Sequence, residues 1–326
     1  MRPPSLLTKQ RIRVPRVHEP SEPRPEALVS RSVTVASSQS AIVGLSGDEG
    51  CSCGGAAAAE ERTPLYAIGS ISARIPSRSV EMELAQLPDA AMPQGLADND
   101  PAMQRYFFDT LRFVKNLYIA REMCWVLQLG GGVDSFIIKP TTQDALLSCI
   151  TALGGNSGND ILRSVVVGWS GGLAPASACN NLSLPLAYVT DLYELSTNAM
   201  VEQIQASTGA PADQAALLYV NMLSLANNTG NSDEYRAINF VTTRFAGPYQ
   251  KAWDFTNSNQ DSPYKMQSVS VAPSRVSGGR KVLDVIYTYV QTSGYAPSEQ
   301  WYCSVDVTGE YPFLVRNYML QYINAP

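Results

Sequence analysis

The sequence contains one histidine, His18, in 326 residues. Serine and cysteine nucleophiles are commonly activated by a histidine, and most catalytic zinc sites use histidine ligands. We expect the segment around His18 to be disordered, so neither arrangement can form inside a folded domain. The sequence therefore argues against the common hydrolase and metalloprotease classes, and it predicts no catalytic residues, no metal and no cofactor. Catalysis by carboxylates, lysine or tyrosine stays open, although no motif points to it.

Charged residues are also scarce, at 16% of the chain, and the net charge is −5. A nucleic-acid-binding protein needs a basic surface that replaces counterions, so we expect no nucleic-acid partner. The chain has no run of about 18 apolar residues, the length that a transmembrane helix requires. Near the N-terminus, Lys9 follows an apolar stretch that is too short for a signal peptide. We therefore expect a cytoplasmic protein without membrane contact, whose six cysteines are reduced.

The composition changes near residue 63. Residues 1–62 contain no Phe, Trp or Tyr and are rich in Pro, Ser, Arg, Glu, Gly and Ala. Such a segment cannot bury enough apolar surface to offset its chain entropy, so we expect a disordered tail. The composition and apolar patterns of residues 63–326 are those of one globular domain.

Within that domain the apolar patterns predict strands, then helices, then strands. This order is typical of an α+β fold and lacks the regular alternation of a doubly wound one. Helical spacing predicts a single helix over 101–121, and helices dominate 191–257. Gly130-Gly131-Gly132 lies between two strands, so we interpret it as a hairpin turn; it lacks the Gly-Lys-Ser/Thr ending of a phosphate loop. The other predicted strands are 65–75, 124–129, 135–138, 163–169, 184–189, 266–271, 281–291, 301–308 and 314–323, and a further helix is predicted over 141–153.

Two charged segments of the domain are candidate binding sites. Asp233 and Arg236 lie at the start of a predicted helix, where acidic residues suit the N-terminus. As a candidate site, Asp233 or Glu234 would pair with Arg236 or Arg244 and clamp an anion or a peptide. Arg275, Arg280 and Lys281 lie in the most basic loop of the domain. Because an arginine can bind a carboxylate through two parallel hydrogen bonds, this loop is a candidate docking site for an acidic leader peptide.

The tail contains Cys51-Ser52-Cys53 followed by two glycines. The simplest interpretation is a low-complexity linker. Two thiolates supply half of a tetrahedral zinc site, and the sequence offers no second pair close by. The third interpretation is a peptide substrate held in cis, because Cys and Ser are the residues that peptide-modifying enzymes convert into heterocycles or thioethers.

Six segments, taken in order, resemble the C-terminal domain shared by the cyanobactin maturation proteases PatG and PatA. They are 66–77, 118–127, 179–182, 233–239, 273–275 and 305–315, and the resemblance covers about residues 64 to 320. In that family the domain accompanies a subtilisin-like protease and has no settled catalytic activity. No subtilisin-like Asp, His and Ser segments precede residue 64 here, so the resemblance implies a PatG-like domain without the protease and carries over no catalytic residues.

Three functions follow from these observations. The leading hypothesis is a non-catalytic binding or scaffold protein in the biosynthesis of ribosomal, post-translationally modified peptides, whose partner is a precursor peptide or a peptide-modifying enzyme. The first alternative is a precursor-like substrate in which the domain acts as leader for Cys51, Ser52 and Cys53. The second is a metal-dependent or carboxylate-based enzyme. The sequence does not determine the oligomeric state, and a homo-oligomer is one of the possibilities.

Overall fold

The computed structural model describes residues 62–320 apart from 88–90, 156–161, 258–263, 277 and 293–296. These residues belong to one compact unit, Ala56–Pro326. Cys51, Ser52 and Cys53, together with the rest of the predicted tail up to residue 61, lie outside the described residues, and the predictions made for them stay predictions.

The described residues form a mixed α+β fold, which confirms the predicted class. The first half contains β1 (Thr63–Arg74), α1 (Arg78–Ala85), α2 (Pro101–Leu111), α3 (Leu117–Glu122), β2 (Cys124–Leu129), β3 (Val133–Pro140), α4 (Gln143–Gly154), β4 (Leu162–Leu173) and β5 (Pro185–Ser196). The second half contains α5 (Thr197–Thr208), α6 (Ala212–Leu225), α7 (Asp233–Arg244), α8 (Gly247–Asn257), β6 (Tyr264–Pro273), β7 (Val282–Gln291), β8 (Glu299–Asp306) and β9 (Phe313–Leu320).

The first five strands close into a barrel in the order β1-β2-β3-β5-β4. All neighbours are antiparallel except β3 and β5, which run parallel, and α4 forms the crossover after β3. This five-stranded Greek-key arrangement is that of an OB-type barrel. Alternate residues of β1, such as Leu65 and Ala67, face a core that also contains Trp125, Leu127 and Val166. The barrel is thus a filled core, and the surfaces available to ligands are its loops and outer face.

The turn between β2 and β3 confirms the hairpin interpretation of the glycine run. Gly131 and Gly132 have φ of 82° and 77°, and the amide of Gly132 donates to the oxygen of Leu129 over 3.0 Å. Two consecutive left-handed residues define the tight hairpin connection that glycine adopts most easily.

The second half builds an antiparallel sheet in the order β6-β7-β8-β9. A second apolar cluster lies between this sheet and the outside of the barrel. The cluster contains Tyr66 and Val167 from the barrel, Tyr219 and Val241 from the helices, and Tyr287 from the sheet. Because the same cluster includes residues of all three layers, the barrel and the sheet share one packed interface.

The single helix predicted over 101–121 is wrong. Helix α2 ends at Leu111, a short 3-10 turn follows at Val114–Asn116, and α3 begins at Leu117. Asn116 is buried, and its side-chain amide donates to the oxygen of Thr110 over 2.8 Å. This bond satisfies a carbonyl at the end of α2, where an α-helix leaves carbonyls without partners. The chain therefore turns while the apolar residues stay in the core.

The prediction that helices begin at residue 191 is also wrong, because β5 continues to Ser196. Residues Leu162 to Val167 of β4 pair with this stretch, up to Ser196. Leu192 packs into the barrel core, whereas Tyr193 and Leu195 pack against the second cluster. The polar residues Asp191 and Glu194 lie three positions apart, a spacing that does not alternate as in a half-buried strand and also suits a helix, so periodicity misassigned this stretch.

The expectation of six reduced cysteines fails at Cys124 and Cys179, which form a disulfide bond. Their Cα atoms lie 5.4 Å apart, although 55 residues separate them along the chain. The barrel causes this proximity by placing the start of β2 beside the β4–β5 connection. Cys149 and Cys303 are free and buried.

Among the described residues no helix is both long enough and apolar enough to cross a membrane.

Candidate functional site

Arg236 is fully buried in the first turn of α7. Its guanidinium is 2.9 Å from the Asp233 carboxylate and donates to the backbone oxygens of Val307, Gly309 and Glu310. The donors are thus directed at the connection between β8 and β9. Burial lowers the pKa of Arg236, and the Asp233 carboxylate acts against that shift. Arg236 therefore has a structural role in holding this connection. A ligand can reach only the exposed residues among the predicted binding residues.

Asp233 connects Arg236 to the basic loop that joins β6 and β7. Its second carboxylate oxygen lies 3.0 Å from the Nζ atom of Lys281. Lys281 is mostly exposed, whereas Arg236 has no exposed surface. The Asp233 carboxylate is therefore already paired with two cations, one buried and one exposed.

Arg280 forms an ion pair with Asp306, at the end of β8. Burial alone would raise the pKa of Asp306, but hydrogen bonds from Thr308 and the charge of Arg280 outweigh it, so the pKa lies below its usual value. The side chain of Arg280 remains 63% exposed, which leaves several of its donors available. Arg275 is exposed and forms no ion pair with any described residue.

Apolar side chains are exposed beside this loop, on β9. Phe313 is 61% exposed and Val315 is 48% exposed. In the sheet register Phe313 is the partner of Asp306, and Asp306 is the partner of Val282. The basic loop and the start of β9 therefore lie at the same end of the sheet.

Strand β9 is also an edge strand. It pairs with β8 on one side, and no described strand pairs with its other side. An edge of this kind presents unpaired backbone groups to an added strand. We use the name docking surface for Arg275, Arg280, Lys281, Phe313 and Val315. The sequence suggested the three basic members; the apolar members required the sheet register.

A cleft on the barrel forms a second candidate site. One part measures about 400 Å³ and is lined by the start of α1 and by residues 92–98. The adjoining part measures about 250 Å³ and is lined by Arg74 and by residues 179–182. Ile75, Asp98 and Asn180 line both parts. We call this feature the barrel cleft. It brings together segments 66–77 and 179–182, which the sequence analysis noted separately.

The strongest cluster of potentially reactive groups is centred on Tyr193. Its hydroxyl forms a hydrogen bond with the hydroxyl of Tyr66 and accepts a hydrogen bond from Arg244. The Arg244 guanidinium also lies 4.5 Å from the centroid of the Tyr193 ring. Burial, reinforced by the neighbouring Tyr66, raises the pKa of Tyr193. Both effects keep the hydroxyl protonated near neutral pH, which is unsuitable for a general base. In the described part of the chain, no three His, Cys, Asp or Glu side chains are grouped so that they could hold a metal ion.

The fold and these surfaces define an α+β domain in which an OB-type barrel shares a core with a four-stranded sheet. Residues 205–320 match the PatG C-terminal family. A solved structure titled "PatG Domain of Unknown Function" has the same fold, with a TM-score of 0.59 and 18% identity. The match covers 79% of this chain and 98% of that one. No curated protein matches the chain. Residues 205–320 are thus similar to a PatG C-terminal domain, and the described residues share the fold of that solved PatG domain, as the sequence resemblance indicated.

Proposed function

We propose that this domain is a non-catalytic peptide-recognition module in the biosynthesis of cyanobactin-like peptides, and that its partner is a precursor peptide. The proposal rests on the PatG-like fold and, above all, on one observation: the edge of β9 that no described strand pairs with begins beside a basic loop, and the strand exposes Phe313 and Val315. A peptide that adds as a strand to this edge would gain backbone hydrogen bonds from β9.

The chemistry of the docking surface favours a peptide that combines acidic and apolar residues. Arg275 has no ion pair with a described residue, so it can bind a carboxylate without breaking one. Arg280 and Lys281 are mostly exposed and would add positive potential. Phe313 and Val315 offer apolar area that strand addition would remove from water.

The test is a titration of the full chain into a fluorophore-labelled synthetic cyanobactin precursor peptide, followed by fluorescence anisotropy. We expect Arg275→Glu and Phe313→Ser each to weaken binding by roughly tenfold, the effect of losing one charge-assisted hydrogen bond or one buried aromatic contact. Arg121→Glu and Val114→Ser are matched controls, because both residues are exposed and lie on other elements. Failure of the wild-type chain to bind the peptide would refute the proposal.

A further inference from the structure

We infer that the barrel cleft is a second ligand site and that it binds the backbone of an extended peptide segment. This inference deepens the proposed function and rests on it, because it assigns a further contact region to the same class of partner. The docking surface lies on the second sheet, whereas the cleft lies on the loops of the barrel, so separate substitutions can test them.

The location of the cleft is the first argument. Its walls come from the connection between β1 and β2 and from the connection between β4 and β5. In OB-type barrels these two loops, together with the face of strands 2 and 3, form the ligand-binding surface. Fold likeness by itself does not establish a site, so the identity of the ligand must come from the residues.

Unused polar groups at the cleft are the second argument. The Nε atom of Arg74 is buried and finds no acceptor among the described residues. The guanidinium is held at its other end by the ion pair with Asp134. The Nε atom itself has no accessible surface, but Arg74 lines the smaller part of the cleft and its side chain is 24% exposed. Arg74 thus supplies the cleft wall with a cationic side chain whose donors suit a carbonyl or a carboxylate.

Acceptors also line the cleft. One carboxylate oxygen of Asp98 accepts from the amide of Ile75 over 2.9 Å, and the other accepts no hydrogen bond from a described residue. The exposed side-chain amide of Asn180 can donate and accept, and it too has no partner among the described residues. A peptide backbone presents a carbonyl and an N–H in alternation, so it matches a site that offers both a donor and acceptors.

The rest of the lining disfavours other classes of ligand. Among the described residues no aromatic side chain lines either part of the cleft, so these residues offer no stacking surface to bases or sugar rings. Arg78 is paired with Glu81 at 2.7 Å and Arg74 with Asp134, so the described lining residues offer no unpaired positive charge to a phosphate backbone. Ile75, Met92 and Leu96 supply apolar area for peptide side chains.

The backbone of the β4–β5 connection holds the Asn180 side chain at the cleft. Asn180 and Asn181 have φ of 43° and 67°, and the preceding residue, Cys179, is anchored to β2 by the disulfide. Asparagine adopts the left-handed conformation more readily than most residues. The disulfide and the turn therefore restrain the loop that carries the Asn180 amide. Because this loop is already ordered, less conformational entropy is lost when a ligand binds.

The experiment uses the full chain and the labelled synthetic precursor peptide, with Asn180→Gly and Leu96→Asp as cleft variants. Glycine accepts the positive φ of residue 180, so Asn180→Gly removes the amide without strain. Leu217→Asp is the control for Leu96→Asp, because Leu217 is an exposed apolar residue of α6. We expect both cleft variants to weaken binding by about tenfold, and the control to leave it unchanged. Hydrogen exchange should slow in residues 91–98 and 176–182 when the peptide binds.

Two other results would overturn the inference, and they are distinguishable. If the peptide binds the wild-type chain and both cleft variants equally, and no protection develops in 91–98, the cleft is not a peptide site, while the proposed function stands. If the wild-type chain does not bind the peptide at all, the proposed function and the cleft assignment both fail.

Discussion

The guanidinium of Arg236 donates a hydrogen bond of 2.9 Å to the backbone oxygen of Val307, 71 residues further along the chain. The contact connects the first turn of α7 to the end of β8. The same side chain bonds the oxygens of Gly309 and Glu310. One buried cation thus holds the connection that leads into β9, the edge strand of the docking surface.

Replacement of Arg236 by methionine should destabilise the domain by about 3 kcal/mol, because three carbonyl oxygens lose a charged donor at once. Equilibrium unfolding in urea measures the change. The matched control is Arg105→Met, which removes an exposed ion pair with Asp109 on α2; we expect less than about 0.5 kcal/mol there. Equal losses in the two variants would show that Arg236 has no special structural role.

The Cys124–Cys179 disulfide should stabilise the fold by about 2 to 4 kcal/mol, since it closes a long loop in the unfolded chain. We expect the midpoint of urea unfolding to fall when a reductant is added to the wild-type chain. The double variant Cys124→Ala/Cys179→Ala should start at the lower midpoint and show no further response to the reductant. If the reductant still lowered the midpoint of the double variant, the effect could not come from the Cys124–Cys179 disulfide.

Part of this architecture is predictable from local patterns. The hairpin at Gly131 and the N-terminus of α7 after Ser232 follow from turn chemistry and capping. These features depend on neighbouring residues alone, which is why a single sequence indicates them.

The features that the sequence did not predict depend on contacts between distant segments. Burial of Arg236 results from packing of α7 against the β8–β9 connection; its helical spacing with Asn239 and Thr243, also buried polar residues, is the only local signal. The disulfide and the barrel cleft require that β1 pair with β4 to close the barrel. Pairing partners far apart in sequence leave no periodic signal in either strand, so neither feature can be inferred from one chain.

Stability should depend on pH through Asp306. The pKa of this carboxyl is lower in the folded protein than its usual value of 3.8, so the folded state binds the proton less readily than the unfolded state. The stabilisation is therefore fully present above about pH 3.8 and is lost as the pH falls through the folded-state pKa.

The variant Asp306→Asn removes this contribution while it keeps an acceptor oxygen for the amide of Thr308. Unfolding free energies should differ by about 1 kcal/mol between wild type and variant at pH 7. The difference should shrink as the solution is acidified below the folded-state pKa. Arg280→Gln, which removes only the ion pair, should give a smaller change. A difference that stays constant with pH would contradict the role given to Asp306.

The hairpin that joins β2 to β3 allows a test of backbone strain without side-chain clashes. A Cβ atom added at Gly132 would meet nothing within 4 Å, but the residue has φ of 77°. Gly132→Ala should therefore destabilise the domain by about 1 kcal/mol purely through conformation, and Gly132→Asn should cost less because asparagine tolerates this region. Gly309→Ala is the control: its Cβ is equally unobstructed and its φ is not positive. Thermal unfolding measures all three, and equal midpoints for Gly132→Ala and Gly309→Ala would show that the turn does not need left-handed residues.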